Sequence, residues 1–93
     1  MANDSSMFIG TKPFMNYVTG VVMQFTAKGS SSVIIKARGK FIYRAVDVAE
    51  VVRKRFLKDQ VDIKEIKIDS EEFTNRENKQ VRVSTIEISL AKK

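Results

Sequence analysis

Apolar residues recur along this chain in two rhythms, one of period two and one close to the helical repeat. Met7–Ile9 is a short apolar run that stops at Gly10, and it predicts a strand. Pro13 suits the first turn of a helix, because its fixed φ is already helical and its missing N–H is not needed there. Phe14, Met15, Val18, Val21, Val22 and Phe25 then return at helical spacing. Lys28 is expected in the last turn, Gly29 as the C-terminal cap, and Ser30–Ser32 as a loop. Val33–Arg38 predicts a second strand, with Val33, Ile35 and Ala37 on one face and Ile34, Lys36 and Arg38 on the other. Gly39 breaks it. From Lys40 the period becomes helical again. Ile42, Ala45, Val46, Ala49, Val52 and Phe56 form the expected apolar face, with Lys40, Arg44, Asp47 and Lys54 opposite. Leu57 closes that helix before the polar turn Lys58-Asp59-Gln60.

Two β-rich stretches follow, Val61–Asp69 and Val81–Leu90, joined across Ser70–Gln80 with Asn75–Gln80 as the turn. Their apolar parity changes partway. Ile66 and Ile68 share a face, but the pattern fades past Ser70; Val81 and Val83 face one way, and Ile86, Ile88 and Leu90 the other. The inner part is expected to pack on the domain and the outer part, residues 70–81, to leave it as a two-stranded arm. About six residues beyond the core at ~3.3 Å each give a reach of roughly 20 Å. The order β-α-β-α-β-β predicts an α+β two-layer sandwich, with two helices on one face of a mixed four-stranded sheet. One domain over residues 1–93 is expected, with residues 1–6 a flexible N-terminus.

Composition narrows the function. The chain has no cysteine, so disulfides and thiolate sites are excluded, and no histidine, the usual general base and commonest metal ligand. No catalytic residue, metal site or cofactor is expected, and Asp47 and Glu50 read as helix-surface charges, with Glu50 able to pair with Lys54. No run is long enough for a membrane span and the N-terminus does not read as a signal peptide, so the chain is expected in the cytoplasm, away from membranes. The net charge is +6, and it is unevenly placed: residues 1–45 carry six basic residues and one acid, whereas residues 46–93 carry eleven basic and ten acidic residues. A localised excess of this kind points to a polyanion partner.

The excess gathers at the two strand-to-helix joins, Gly10-Thr11-Lys12-Pro13-Phe14 and Gly39-Lys40-Phe41. A helix start offers free N–H groups and partial positive charge, and acids normally complement it. Lys12, Lys40 and, one turn in, Arg44 stand there instead, an arrangement that favours an arriving phosphate. If the strands are parallel, both joins open on one edge of the sheet, and Lys12, Lys36, Arg38, Lys40 and Arg44 form one patch. Sequence motifs for other phosphate chemistry are missing: Gly10-Thr11-Lys12 lacks the upstream glycine of a Walker A loop, no GXXG loop occurs, and Arg38-Gly39-Lys40-Phe41 departs from the RNA-recognition-motif signature at Lys40.

The segments IGTKPFMNYV, VIIKARGKFIYRAVDVAEVVRKRFL, IKEIKI and RVSTIEISL closely resemble the Alba family of archaeal chromatin proteins, from about Met7 to Lys93. The resemblance implies a fold similar to the C-terminal domain of bacterial translation initiation factor three. It also implies homodimers, or heterodimers with a paralogue, that bind double-stranded DNA without marked sequence preference and bind RNA as well. The dimer body lies on the backbone, the arms reach towards minor grooves, and side-by-side association of dimers coats, bridges and compacts DNA on the chromosome. The family's basic body residues map onto Lys12, Arg38, Lys40 and Arg44, with Asn16 and Tyr17 close by on the first helix as further candidate contacts, and its arm residues map onto Arg76, Lys79 and Arg82. The phenylalanine used between dimers maps onto Phe56, which spacing alone reads equally well as core. The family's usual acetylated lysine is Thr11 here, which leaves Lys12 as the modifiable neighbour. The proline usual after RFL is Lys58. Residues 69–82 hold four acids against three basic residues, an unusually acidic arm. An RNA-binding protein or ribonucleoprotein subunit is the alternative function, and a pure protein-assembly module a third.

Overall fold

A computed structural model of the chain describes residues 4–93. The elements follow the expected order: β1 (Asp4–Phe8), α1 (Phe14–Thr26), β2 (Ser32–Arg38), a 3-10 turn (Gly39–Phe41), α2 (Ile42–Val51), a π turn (Val52–Phe56), β3 (Val61–Thr74) and β4 (Gln80–Lys92). The sheet has four strands in the order β1-β2-β4-β3. β1 runs parallel to β2, and β4 is antiparallel to both β2 and β3. The α2 connection therefore carries the chain past the site of β4, and the last strand fills the gap.

β1 starts earlier than its apolar residues suggest. The parallel ladder begins at Asp4 opposite Ser32. The Ser5 hydroxyl donates to Gln24 Oε1 at 2.8 Å and lies 3.1 Å from the hydroxyl of buried Ser30, so polar contacts anchor a start that hydrophobicity does not mark. Residues 4–6 thus belong to the strand and not to a flexible N-terminus; residues 1–3 of that expectation lie outside the described residues.

In α1, Tyr17, Val18, Val21 and Phe25 form the buried stripe. Pro13 sits just outside, at the N-cap position, and Lys28 falls beyond the last turn. Gly29 has φ +68°, the left-handed conformation in which glycine ends helices, and Ser30 N–H returns to Gln24 O at 2.9 Å. On β2, Val33, Ile35 and Ala37 face the helices, as the alternation predicts. They pack with Ile86, Ile88 and Leu90 of β4 and with Ala45, Val48, Ala49 and Val52 of the second helix. Each fully buried valine, isoleucine or leucine of this layer contributes roughly 1.5–3 kcal/mol.

The second helix departs from the expected face in two places. Its buried stripe is Ala45-Val48-Ala49-Val52, spaced i, i+3, i+4, i+7, which leaves Val46 exposed. At its end the Leu57 N–H bonds to Val52 O at 2.8 Å, an i→i+5 closure that admits one extra residue. Leu57 therefore takes the buried position below Val52, and Phe56 is turned out, 48% exposed. Glu50 pairs with Arg53 at 2.7 Å and with Lys54 at 3.6 Å on the outer face.

β3 and β4 explain their own parity change. A bulge between Ile63 and Glu65 keeps Ile63, Ile66 and Ile68 opposite Leu90, Ile88 and Ile86, all on the helix side. The pairing of β4 with β2 ends at Thr85 opposite Arg38. Beyond it, Ser70–Thr74 and Gln80–Ser84 pair only with each other and form the arm. Its turn is closed by the Asn75 side chain, whose Oδ1 accepts from the N–H groups of Glu77 (2.9 Å) and Lys79 (3.0 Å). The arm gives the molecule its long axis of 47 Å, against 29 and 19 Å across.

Candidate nucleic-acid interface

Because β1 and β2 are parallel neighbours, the Gly10–Pro13 and Gly39–Phe41 joins open on the same edge of the sheet. Gly39 makes the second join possible: its φ of +54° is strained for any residue with a side chain. Neither α1 nor α2 has a side-chain cap or an acid in its first turn. The N-terminal N–H groups of both therefore have no competing carboxylate.

Arg44 ties the two joins together. Its Nη1 donates to Gly10 O and, at 2.7 Å, to Lys12 O, and its guanidinium lies 5.7 Å from the Tyr17 ring centroid. The half-buried Arg44 thus braces the first loop through one of its terminal nitrogens. Tyr17 supports the same loop. It is only 6% exposed, and its hydroxyl oxygen accepts the N–H groups of Gly10 (2.9 Å) and Lys12 (3.0 Å). A buried ring whose oxygen is already engaged shapes the loop; it does not stand out to meet a ligand.

The brace leaves Lys12 exposed, its ammonium in no ion pair among the described residues. Asn16 is exposed nearby in the first turn of α1, where its N–H bonds to Pro13 O at 3.0 Å. Lys40 is exposed in the 3-10 turn with Nζ 5.5 Å from the Phe41 centroid. Lys36 lies on the sheet face away from the helices, its Nζ 5.4 Å from the Phe8 centroid. Arg38, one alternation further, is not free: its Nη2 contacts Glu71 Oε2 at 2.9 Å across the root of the arm.

Arm cations are similarly matched. Arg82 pairs with Glu72 at 2.9 Å and Lys79 with Glu77 at 4.0 Å, while Arg76 at the turn has no ion pair among the described residues. Phe56 is remote from this edge, at the far end of the second helix. Among the described residues no group of His, Cys, Asp and Glu is placed to hold a metal ion, and no helix is long and apolar enough to cross a membrane.

Two features escaped the residue pattern. One is Glu71 itself, whose partner is distant in sequence. The other is a groove at the arm root lined by Phe8, Arg38, Gly39, Phe41, Phe73 and Val83. Strand alternation does place Phe8 beside Lys36 on the outer face, but the approach of Phe73 depends on the path of the arm.

Comparison with known proteins agrees with this architecture. The Alba family model matches residues 5–70. The DNA/RNA-binding protein Alba of Nanoarchaeum equitans is 62% identical over 88 residues, covering 94% of this chain and 97% of that protein. DNA/RNA-binding protein Alba 1 of Archaeoglobus fulgidus is 57% identical over 90 residues, covering 97% of this chain and 98% of its own length. The solved structure of Alba from Thermoplasma volcanium superposes with a TM-score of 0.83 at 45% identity, covering 92% of this chain and 98% of that one. The outer-edge joins, the paired long strands and these matches lead to one assignment: the chain belongs to the Alba family.

Proposed function

We propose that this chain is a dimeric nucleic-acid-binding protein that holds double-stranded DNA, and RNA, through backbone phosphates. Alba is a non-enzymatic family, and the names of its close relatives state DNA and RNA binding. The observation that carries the reading is the braced edge. Arg44 locks two strand-to-helix joins side by side, so that Lys12 and Lys40 stand at two helix starts without acidic caps, with Lys36 and Arg38 on the outer sheet face of β2. Such a surface recognises phosphate spacing and has no means of reading base edges at the body.

A second surface supports the dimer. Tyr43 and Val46 on α2 and Ile66 and Ile68 on β3 are exposed, Ile68 to 79%, and Ile42, Ile68 and Ile86 line one apolar groove. A second copy covers this face, or a paralogue does in a heterodimer, and doubles the basic edge. Exposed Phe56 is the contact between dimers that coat, bridge and compact the chromosome in the cytoplasm. The exposed Lys12 ammonium is the site at which acetylation lowers affinity.

Salt-dependent binding tests the core of this reading. With roughly six to eight phosphate contacts per dimer, log affinity falls with log salt at a slope of about −5 to −7, equally for unrelated duplexes. Strong preference for one short sequence, or affinity insensitive to salt, overturns it. Competition with structured RNA at matched salt measures the share of RNA in the same site.

A further inference from the structure

Three phenylalanines converge where the arm leaves the body. Phe8 ends β1, Phe41 ends the 3-10 turn and Phe73 lies in β3; with Arg38, Gly39 and Val83 they line a groove of about 440 Å³, within the range of roughly 300–1,000 Å³ of small-ligand sites. Phe8 is 69% exposed and Phe73 43% exposed. The fold does not need these rings outside: Phe41 packs partly against the core, but Phe8 and Phe73 stand on the sheet face that the helices leave uncovered. Grouped aromatic exposure of this sort marks a binding surface.

The charges around the rings identify the occupant. Lys36 sits over Phe8, Lys40 sits over Phe41, and Arg38 forms the wall between them. An apolar peptide laid in this groove would desolvate three cations and offer them no counter-charge. A duplex offers phosphates, but its bases are stacked on one another and cannot use the rings. An unpaired nucleotide supplies both halves: a flat base for the aromatic faces and a phosphate on either side for the cations. Glu71, which holds Arg38 at 2.9 Å, gives way when a phosphate takes its place.

We propose that the groove at the arm root is a binding site for unpaired nucleotides of single-stranded nucleic acid, with the base stacked on Phe8 and Phe73 and the phosphates on Lys36, Arg38 and Lys40. The inference rests on the nucleic-acid reading above and assigns it a second mode, distinct from duplex coating: capture of melted segments, gaps and loops at the duplex edge.

Fluorescence anisotropy on the full chain tests it, with a labelled oligo(dT) of about 15 nucleotides and a mixed-sequence duplex of the same length. Phe8→Leu combined with Phe73→Leu is expected to weaken oligo(dT) binding by about fivefold or more and duplex binding by less than about twofold. Equal losses on both polymers, or no loss on either, overturn the proposal. Wild-type protein that binds the duplex but not oligo(dT) also overturns it and leaves the duplex reading standing; wild-type protein that binds neither overturns the duplex reading itself. Phe73→Trp supplies an independent readout, because the chain has no tryptophan of its own. Its emission is expected to be quenched by oligo(dT) with the same midpoint as the anisotropy, and an unquenched, unshifted emission at saturation overturns the stacking.

Discussion

Replacing Glu71 by Gln is expected to tighten duplex binding, which makes Glu71 a restraint on the function of its own chain. The carboxylate holds Arg38 Nη2 at 2.9 Å, and both side chains are 55% exposed. An exposed pair of this kind is worth ~0.2–1 kcal/mol. Arg38 gives up that energy whenever it turns to a phosphate. Glutamine keeps the size and an acceptor oxygen but removes the charge, so affinity rises by about 1.4- to 5-fold per subunit. Where both subunits of a dimer engage one duplex, the factors multiply to about 2- to 25-fold. Anisotropy titrations at about 50 and 200 mM salt measure the change, and the gain is expected to be larger at the lower salt. A second substitution separates the two contributions. In an Arg38→Gln background, Glu71→Gln retains only the relief of repulsion between carboxylate and phosphate, so the gain shrinks. Unchanged or weaker binding of Glu71→Gln at low salt, or an undiminished gain without Arg38, refutes the reasoning.

Tyr17→Phe removes the acceptor of the Gly10 and Lys12 N–H groups and is expected to cost about 1–3 kcal/mol in urea unfolding, with weaker duplex binding as the Lys12 loop loosens; an unaltered unfolding midpoint would show that water replaces the phenol without loss. Ile68→Asp places a charge on the exposed face of β3 and is expected to give a folded monomer by sedimentation with an unchanged circular dichroism spectrum; a persistent dimer places the subunit contact elsewhere. Phe56→Ala is expected to leave dimers intact and to flatten the steepness of coating on long DNA, and loss of the dimer itself would contradict its assignment between dimers.

Local rules made most of the framework legible. The alternation through Val33, Ile35 and Ala37 was enough to orient β2, and the glycine-lysine echo at Gly10 and Gly39 was enough to find the two joins. What the residue pattern missed arose from contacts it does not encode. Phe56 follows Val52 at ideal helical spacing, and only the i→i+5 closure at Leu57 turns it outward. Arg44 and Tyr17 carry surface chemistry by type, yet both bond to the carbonyl and N–H groups of one loop. Arg38 reads as a free cation until the arm brings Glu71 alongside. Each case turns on a partner many residues away, or on one extra residue in a helix, and periodicity reports neither.

The strand order β1-β2-β4-β3 also governs how the chain can be assembled during synthesis. Everything up to Thr74 can emerge and form its helices, yet β2 and β3 have no direct pairing, since β4 lies between them. Ile86, Ile88 and Leu90, which close the core, belong to that last strand. A ribosome-bound nascent chain ending before Gln80 is therefore expected to stay protease-sensitive, with an open seam through its sheet. Consolidation waits on the long-range insertion of β4 beside β2, the slow kind of step.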